Sequence, residues 1–178
     1  MNSFSEIYEN INKCDKCHLH GERLVPYYYR GSENASIVFI GEALGAEEQK
    51  QGLPFVGRSG KLLQEILDKI GLTEDDYFIT NLVKCRPPDN RNPFYDEIVI
   101  CSPYLLNELK LIDPKLIVTL GKVPGDWYSN GKEYEINTYV PAKRWLPLRH
   151  PAYLLRKRSE IESFVRSLRT TIGELNIL

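Results

Sequence analysis

Glu42, Phe55, Asn81 and His150 are the side chains whose types and placement could do chemistry. Glu42 comes directly after Ile37-Val38-Phe39-Ile40-Gly41, an apolar run rich in β-branched residues that reads as a strand buried on both faces. Asn81 closes a second such run, Tyr77-Phe78-Ile79-Thr80-Asn81, and His150 follows Arg144-Trp145-Leu146-Pro147-Leu148. Phe55 stands between Pro54 and Val56 in a glycine-rich loop, where neither a helical nor a strand period explains it. An aromatic ring and an amide together read a planar heterocycle: the ring stacks, and the amide pairs with a carbonyl and a ring N–H. The carboxylate would orient water or steady a cationic sugar, and the imidazole would stabilise a departing anion. A lone histidine is usually structural and a lone Asn after a strand is turn chemistry, but the set meets the geometric criteria for an active site. Other chemistries fit poorly. No Ser or Cys nucleophile sits beside the histidine, carboxylates are too sparse for a two-metal nuclease, and the glycine-rich loop lacks the Lys-Ser/Thr ending of a P-loop.

Four cysteines form a second candidate group: Cys14 and Cys17 in a C-x-x-C pair, then Cys85 and Cys101. The N-terminus lacks the basic and apolar regions of a secretory signal, so disulfides are not expected. A thioredoxin-type dithiol would open a helix after a strand, whereas this pair precedes the first convincing strand. Four thiolates could hold tetrahedral zinc or a four-iron cluster, and four unconnected buried thiols are the plain alternative. His18 and His20 receive no role.

The elements that must position these groups can be read in order. Ser5 to Asn12 predicts a short helix with Ile7, Tyr8 and Ile11 on one side. Leu62, Leu63, Ile66, Leu67 and Ile70 predict a helix capped by Ser59 and stopped by Gly71. Strand, helix, strand with short connections implies a right-handed parallel crossover, so Glu42 and Asn81 should emerge on one edge of the sheet, where open α/β sheets bind ligands. Ser102-Pro103 reads as the cap and first turn of a helix running to Ile112. Leu116 to Gly121 is a third strand, and a short helix is expected around Asp126-Trp127-Tyr128. Arg144 to Leu148 is a fourth strand, with Pro147 marking an edge or an end. Ile161, Phe164, Val165, Leu168 and Ile172 form one face of a last helix. The expected fold is a three-layer α/β/α arrangement around a mainly parallel, four-stranded sheet, as one domain over residues 1–178.

Length and composition, 178 residues with 42% apolar and 26% charged, suit a globular domain, and no apolar run approaches membrane-spanning length. A cytoplasmic location without membrane contact is expected. The net charge of −1 conceals an asymmetry. From Lys143 onward there are eight Lys/Arg against three Asp/Glu, and no acid occurs between Glu135 and Glu160. A local positive field of this kind would receive a phosphate backbone; a solvated basic face is the equal alternative.

The stretch GEALGAEEQKQGLPFVGRSGKLL, from Gly41 to Leu63, resembles the first motif of family 4 uracil-DNA glycosylases, whose usual form is close to GEAPGxxEDxxGxPFVGxAGxLL. The similarity continues through TNLVKCRPP at Thr80 to Pro88 and ends with HPAYLLR at His150 to Arg156, in family order. The resemblance implies a monofunctional enzyme that flips uracil from DNA and hydrolyses its N-glycosidic bond in base excision repair. It implies that Phe55 stacks on uracil, Asn81 bonds its Watson–Crick edge and the backbone around Ala43 lines the pocket. Glu42 would position the attacking water, His150 would bond uracil O2, and Glu48 would help exclude the thymine methyl. Arg149 and Arg156 would contact flanking phosphates. It further implies a [4Fe–4S] cluster on Cys14, Cys17, Cys85 and Cys101, tying the N-terminal segment to the middle of the chain, and a monomer near the nucleoid. Leu44 and Gln49 depart from the usual Pro and Asp. A covalently trapping branch carries an Arg/His-rich loop before the final motif; here only Ala142-Lys143-Arg144-Trp145 stands there. The competing readings are a non-catalytic DNA-binding module of the same fold and a glycosylase for another deaminated base such as hypoxanthine.

Overall fold

The computed structural model of the chain describes residues 3–22, 29–131 and 144–177. Ala142 and Lys143, in the short stretch before the final motif, lie outside them. Four strands, β2 (Ile37–Gly41), β3 (Tyr77–Asn81), β4 (Leu116–Leu120) and β5 (Arg144–Leu148), are mutually parallel, and a short β1 (Arg30–Gly31) pairs antiparallel with β3. The sheet order is β1-β3-β2-β4-β5. Among the described residues five strands replace the expected four: β1 is two residues long and has no apolar pattern to reveal it. β5 lies on an edge, which is where Pro147, lacking an N–H for a further neighbour, is tolerated.

Period-2 alternation sends the strand side chains into two cores. Val38, Ile40, Phe78 and Ile117 pack on one face with α1 (Phe4–Asn12), α4 (Tyr95–Ile112) and α5 (Lys122–Ser129). Ile37, Phe39, Tyr77, Ile79 and Val118 pack on the other with α3 (Arg58–Ile70), α6 (Pro151–Arg156) and α7 (Ile161–Glu174). This is the α/β/α layering that the near-continuous apolar runs predict.

Two helix starts differ from expectation. α3 is capped by Gly57, two residues earlier than Ser59. α4 begins at Tyr95 and passes through Pro103. Proline removes the hydrogen bond that Val99's carbonyl would receive, and the Ser102 hydroxyl donates to that carbonyl at 3.3 Å. The side chain that suggested a cap instead repairs the interior of a helix.

A buried ion pair ties the two halves of the first core. Lys84 (1% exposed) meets Glu108 (0%) at 2.8 Å, the Thr80 and Tyr8 hydroxyls also donate to Glu108, and the Lys84 ammonium donates to Thr80 Oγ1 at 2.6 Å. Glu108→Ala strands the Lys84 charge in the core and is expected to cost about 3–5 kcal/mol. Urea unfolding checks this; a loss under 1 kcal/mol would contradict the network's role.

Candidate active site

The three C-terminal strand ends deliver their side chains to one cleft of about 400 Å³, lined by Glu42, Ala43, Glu48, Phe55, Asn81 and His150 among others. Register explains the convergence. Gly41 pairs with Asn81 across β2 and β3, and Val83 N–H then donates to the Glu42 carbonyl at 3.0 Å. On the other side Gly121 N–H donates to the Leu148 carbonyl at 2.8 Å, fixing where the chain leaves β5 for His150.

Asn81 is the most informative of these residues. It is 1% exposed, yet among the described residues neither Oδ1 nor Nδ2 has a hydrogen-bond partner. Left unpaired, such an amide costs about 1–3 kcal/mol, and its place in the cleft suits a ligand offering the complementary donor and acceptor. Its carbonyl oxygen and the Phe55 ring edge occupy the space that a Cβ at residue 41 would fill, so only glycine fits there.

Phe55 holds a left-handed backbone (φ 56°), uncommon for a bulky residue and strained by roughly 1–2 kcal/mol. Three features support it. Arg30 Nη1 donates to the Phe55 carbonyl at 2.8 Å, while Nη2 donates to Gln64 at 2.6 Å. Residue 60 must be glycine, because a Cβ there would collide with the Phe55 carbonyl. The held ring faces His150 with centroids 5.7 Å apart.

His150 caps α6: its Nδ1 accepts the Ala152 N–H at 3.1 Å. In the neutral ring the proton is therefore on Nε2, available to donate. Burial lowers its pKa and favours that neutral form, with the Glu48 charge opposing. Glu42 is half-buried, and burial raises its carboxyl above the ordinary range. Glu48 is pinned on α2 (Ala46–Gln51), its Oε1 accepting the Gly57 N–H at 2.8 Å. Leu44 is buried in the first core, and Gln49 Oε1 accepts from Arg86 at 3.1 Å, so both departures from the usual motif carry packing or bonding of their own.

Arg149 and Arg156 do not join the cleft. Both are exposed; Arg149 lines a neighbouring cavity of about 450 Å³ with Lys122, and its guanidinium lies 5.2 Å from the Tyr153 ring. Ser59, Pro87, Asn90 and Arg91 do line the cleft and were not anticipated. Pro87, Pro88 and Pro93 mark an irregular loop, but nothing in its composition aims it at the site.

The cofactor expectation is corrected. Cys14, Cys17, Cys85 and Cys101 line one small apolar cavity, but among the described residues no group of three or more His, Cys, Asp or Glu is placed to hold a metal ion. Neither the expected [4Fe–4S] cluster nor zinc fits this arrangement. The Cys101 thiol is buried, its pKa pushed up to about 12 chiefly by that burial, and its Sγ accepts the Lys84 N–H at 3.3 Å. A neutral thiol so placed packs as a small apolar side chain. The N-terminal segment is instead joined to the middle of the chain by Tyr8, whose hydroxyl donates to Glu108 at 2.7 Å, and by Phe4, whose ring lies 5.6 Å from that of Phe78. His18 contacts buried Glu97 at 2.6 Å and His20 the Cys17 carbonyl at 2.8 Å.

Comparison with known proteins adds independent findings. The profile of the Uracil DNA glycosylase superfamily matches residues 28–171. A type-4 uracil-DNA glycosylase of Thermotoga maritima is 40% identical over 160 residues, covering 86% of this chain and 83% of that one. One of Archaeoglobus fulgidus is 39% identical over 98% of this chain and 94% of its own length. One of Sulfurisphaera tokodaii reaches 50% identity over 68% of this chain and 56% of its own.

Proposed function

We infer what this chain does from the family it belongs to, the type-4 branch of the uracil DNA glycosylase superfamily, and from the orphaned amide in its cleft. It is a uracil-DNA glycosylase that hydrolyses the N-glycosidic bond of an extruded uracil and leaves an abasic site. The observation that carries this is Asn81: a buried amide with both ends unsatisfied is complementary to the O4 and N3–H of uracil.

The flipped base lies against Phe55, and Asn81 bonds its Watson–Crick edge, repaying the few kcal/mol of unstacking. As the bond from C1′ to N1 breaks, its electron pair passes to N1 and spreads onto O2. Neutral His150 donates Nε2–H to that oxygen, a donor aimed at charge that exists only late in the reaction. Glu42 as carboxylate holds the water whose oxygen bonds to C1′ and accepts its proton. Glu48, pinned by Gly57, stands against the 5-position and disfavours thymine. Arg149 and Arg156, exposed beyond the cleft, meet the phosphates of the strand. No helix of the described residues is long and apolar enough to cross a membrane.

The test is to incubate the protein with matched oligonucleotides bearing uracil, hypoxanthine or a mismatched thymine, then cleave abasic sites with alkali. Scission at uracil alone is expected. Scission at hypoxanthine alone would assign a different lesion, and DNA binding without scission would leave a binding module.

Asn81→Leu separates recognition from folding. Removing the orphaned amide with a side chain of similar shape is expected to stabilise the free protein by about 1 kcal/mol, while free uracil no longer raises its melting temperature. A variant that uracil still stabilises would contradict the role of the amide.

A further inference from the structure

We propose that Phe94 is a stacking platform for an unpaired base of the substrate strand beside the extruded nucleotide; this deepens the glycosylase reading and rests on it. Phe94 is 54% exposed and, with Tyr95 at 51%, makes up the large apolar surface left in water among the described residues. An exposed phenyl ring ordinarily costs little and moves freely. This one is held.

The Arg91 guanidinium lies 3.7 Å from the centroid of the Phe94 ring, covering one face. Arg91 is itself fixed: Nη2 and Nη1 donate to the two oxygens of Glu97 at 2.6 and 2.8 Å. Glu97 is fully buried and takes two further donors, the Phe94 backbone N–H at 2.7 Å and His18 Nε2 at 2.6 Å. The Arg91 contact draws the Glu97 carboxyl below its ordinary range, so the clamp stays charged. A buried carboxylate with four donors thus fixes the guanidinium that covers the ring, while its bond to the Phe94 N–H also caps α4. Such a ring pays no ordering cost when a second flat group arrives on its open face.

Position identifies the occupant. Arg91, with Pro87 and Asn90, lines the cleft, so Phe94 is one guanidinium away from it. The loop holds this course through consecutive left-handed residues, Asp89 (φ 53°) and Asn90 (φ 55°). A strand delivering its nucleotide to the cleft must cross this rim, and the base next to the extruded one has lost a stacking neighbour. An aromatic face with guanidinium behind it replaces that neighbour without reading sequence.

The experiment measures affinity on single strands that need no chemistry, with a tetrahydrofuran at the extruded position and the flanking site either adenine or a second abasic spacer. Phe94→Ala is expected to weaken binding to the adenine-flanked strand roughly tenfold and to leave the spacer-flanked strand unchanged, with Phe94→Trp binding as the native protein does. Unchanged thermal unfolding shows that the exposed substitution has not damaged the fold. Equal affinity of Phe94→Ala and native protein for the adenine-flanked strand would overturn the proposal. So would an equal loss on both strands, or self-association of the native protein that Phe94→Ala abolishes. Failure of the glycosylase reading is distinct: a native protein that releases no base from a uracil strand refutes that reading whatever the affinities are.

Discussion

Replacing His150 by alanine is expected to lower single-turnover excision of uracil by about a hundredfold or more, with the protein still folded. A large effect is expected because, in the proposed reaction, the imidazole donates to charge that is absent from the ground state, so its loss should appear in kcat and little in KM. The geometry makes the donor specific. Nδ1 is committed to the Ala152 N–H, which leaves Nε2–H pointing away from the helix it caps. Burial lowers the histidine pKa, so the folded state favours the neutral ring and that preference is lost only as pH falls below the normal histidine range. Alanine also removes the cap of α6, worth about 1 kcal/mol, and a modest fall in melting temperature should accompany the loss of rate. A rate within threefold of the native one would remove His150 from the reaction.

Glu42→Gln is the second large effect, a loss on the order of 10²- to 10⁴-fold in excision. Its pH dependence distinguishes a water-holding carboxylate from a merely structural one. Burial raises the Glu42 pKa, and the form proposed to hold the water is the anion. Native activity should therefore fall on the acid side through a midpoint above the ordinary carboxylate range, and the residual activity of Glu42→Gln should lack that limb. Stability runs the other way. A folded-state pKa raised above its unfolded value means that the charged form opposes folding, so stability is lost as pH rises through the folded pKa. Glu42→Gln should accordingly melt higher than the native protein at neutral pH, with the gap closing towards about pH 4. A variant both slower and less stable at neutral pH would indicate damaged packing in place of lost chemistry.

Much of this site was legible in the sequence because strand ends are legible. β2, β3 and β4 are short apolar runs and β5 is marked by Pro147, and parallel connection places the C-terminal ends on one rim, which is why Glu42, Asn81 and His150 could be grouped from the sequence. What escaped notice depends on contacts distant in sequence. Arg30 reaches the Phe55 carbonyl across 25 positions, and no local pattern announces that pairing or the left-handed backbone it supports. β1 is too short for periodicity to register. Ser59 and Ser102 misled for one reason: a serine near a helix start is read as a cap, whereas Ser59 lines the cleft and Ser102 repairs the gap made by Pro103. The cysteines misled differently. The C-x-x-C spacing suggested ligands, and the side chains do share a cavity, but they are not grouped as a metal site, and Tyr8 and Phe4 make the tie instead.

The central claim is that the cleft formed by Glu42, Phe55, Asn81 and His150 breaks a glycosidic bond and nothing else in the strand. Chromatography of the reaction on a uracil-bearing oligonucleotide, without alkali, tests it most directly. The account predicts one equivalent of free uracil for each abasic site formed, with the phosphodiester backbone intact. An intact base still attached to its sugar, or a strand cut before any uracil is released, would contradict it.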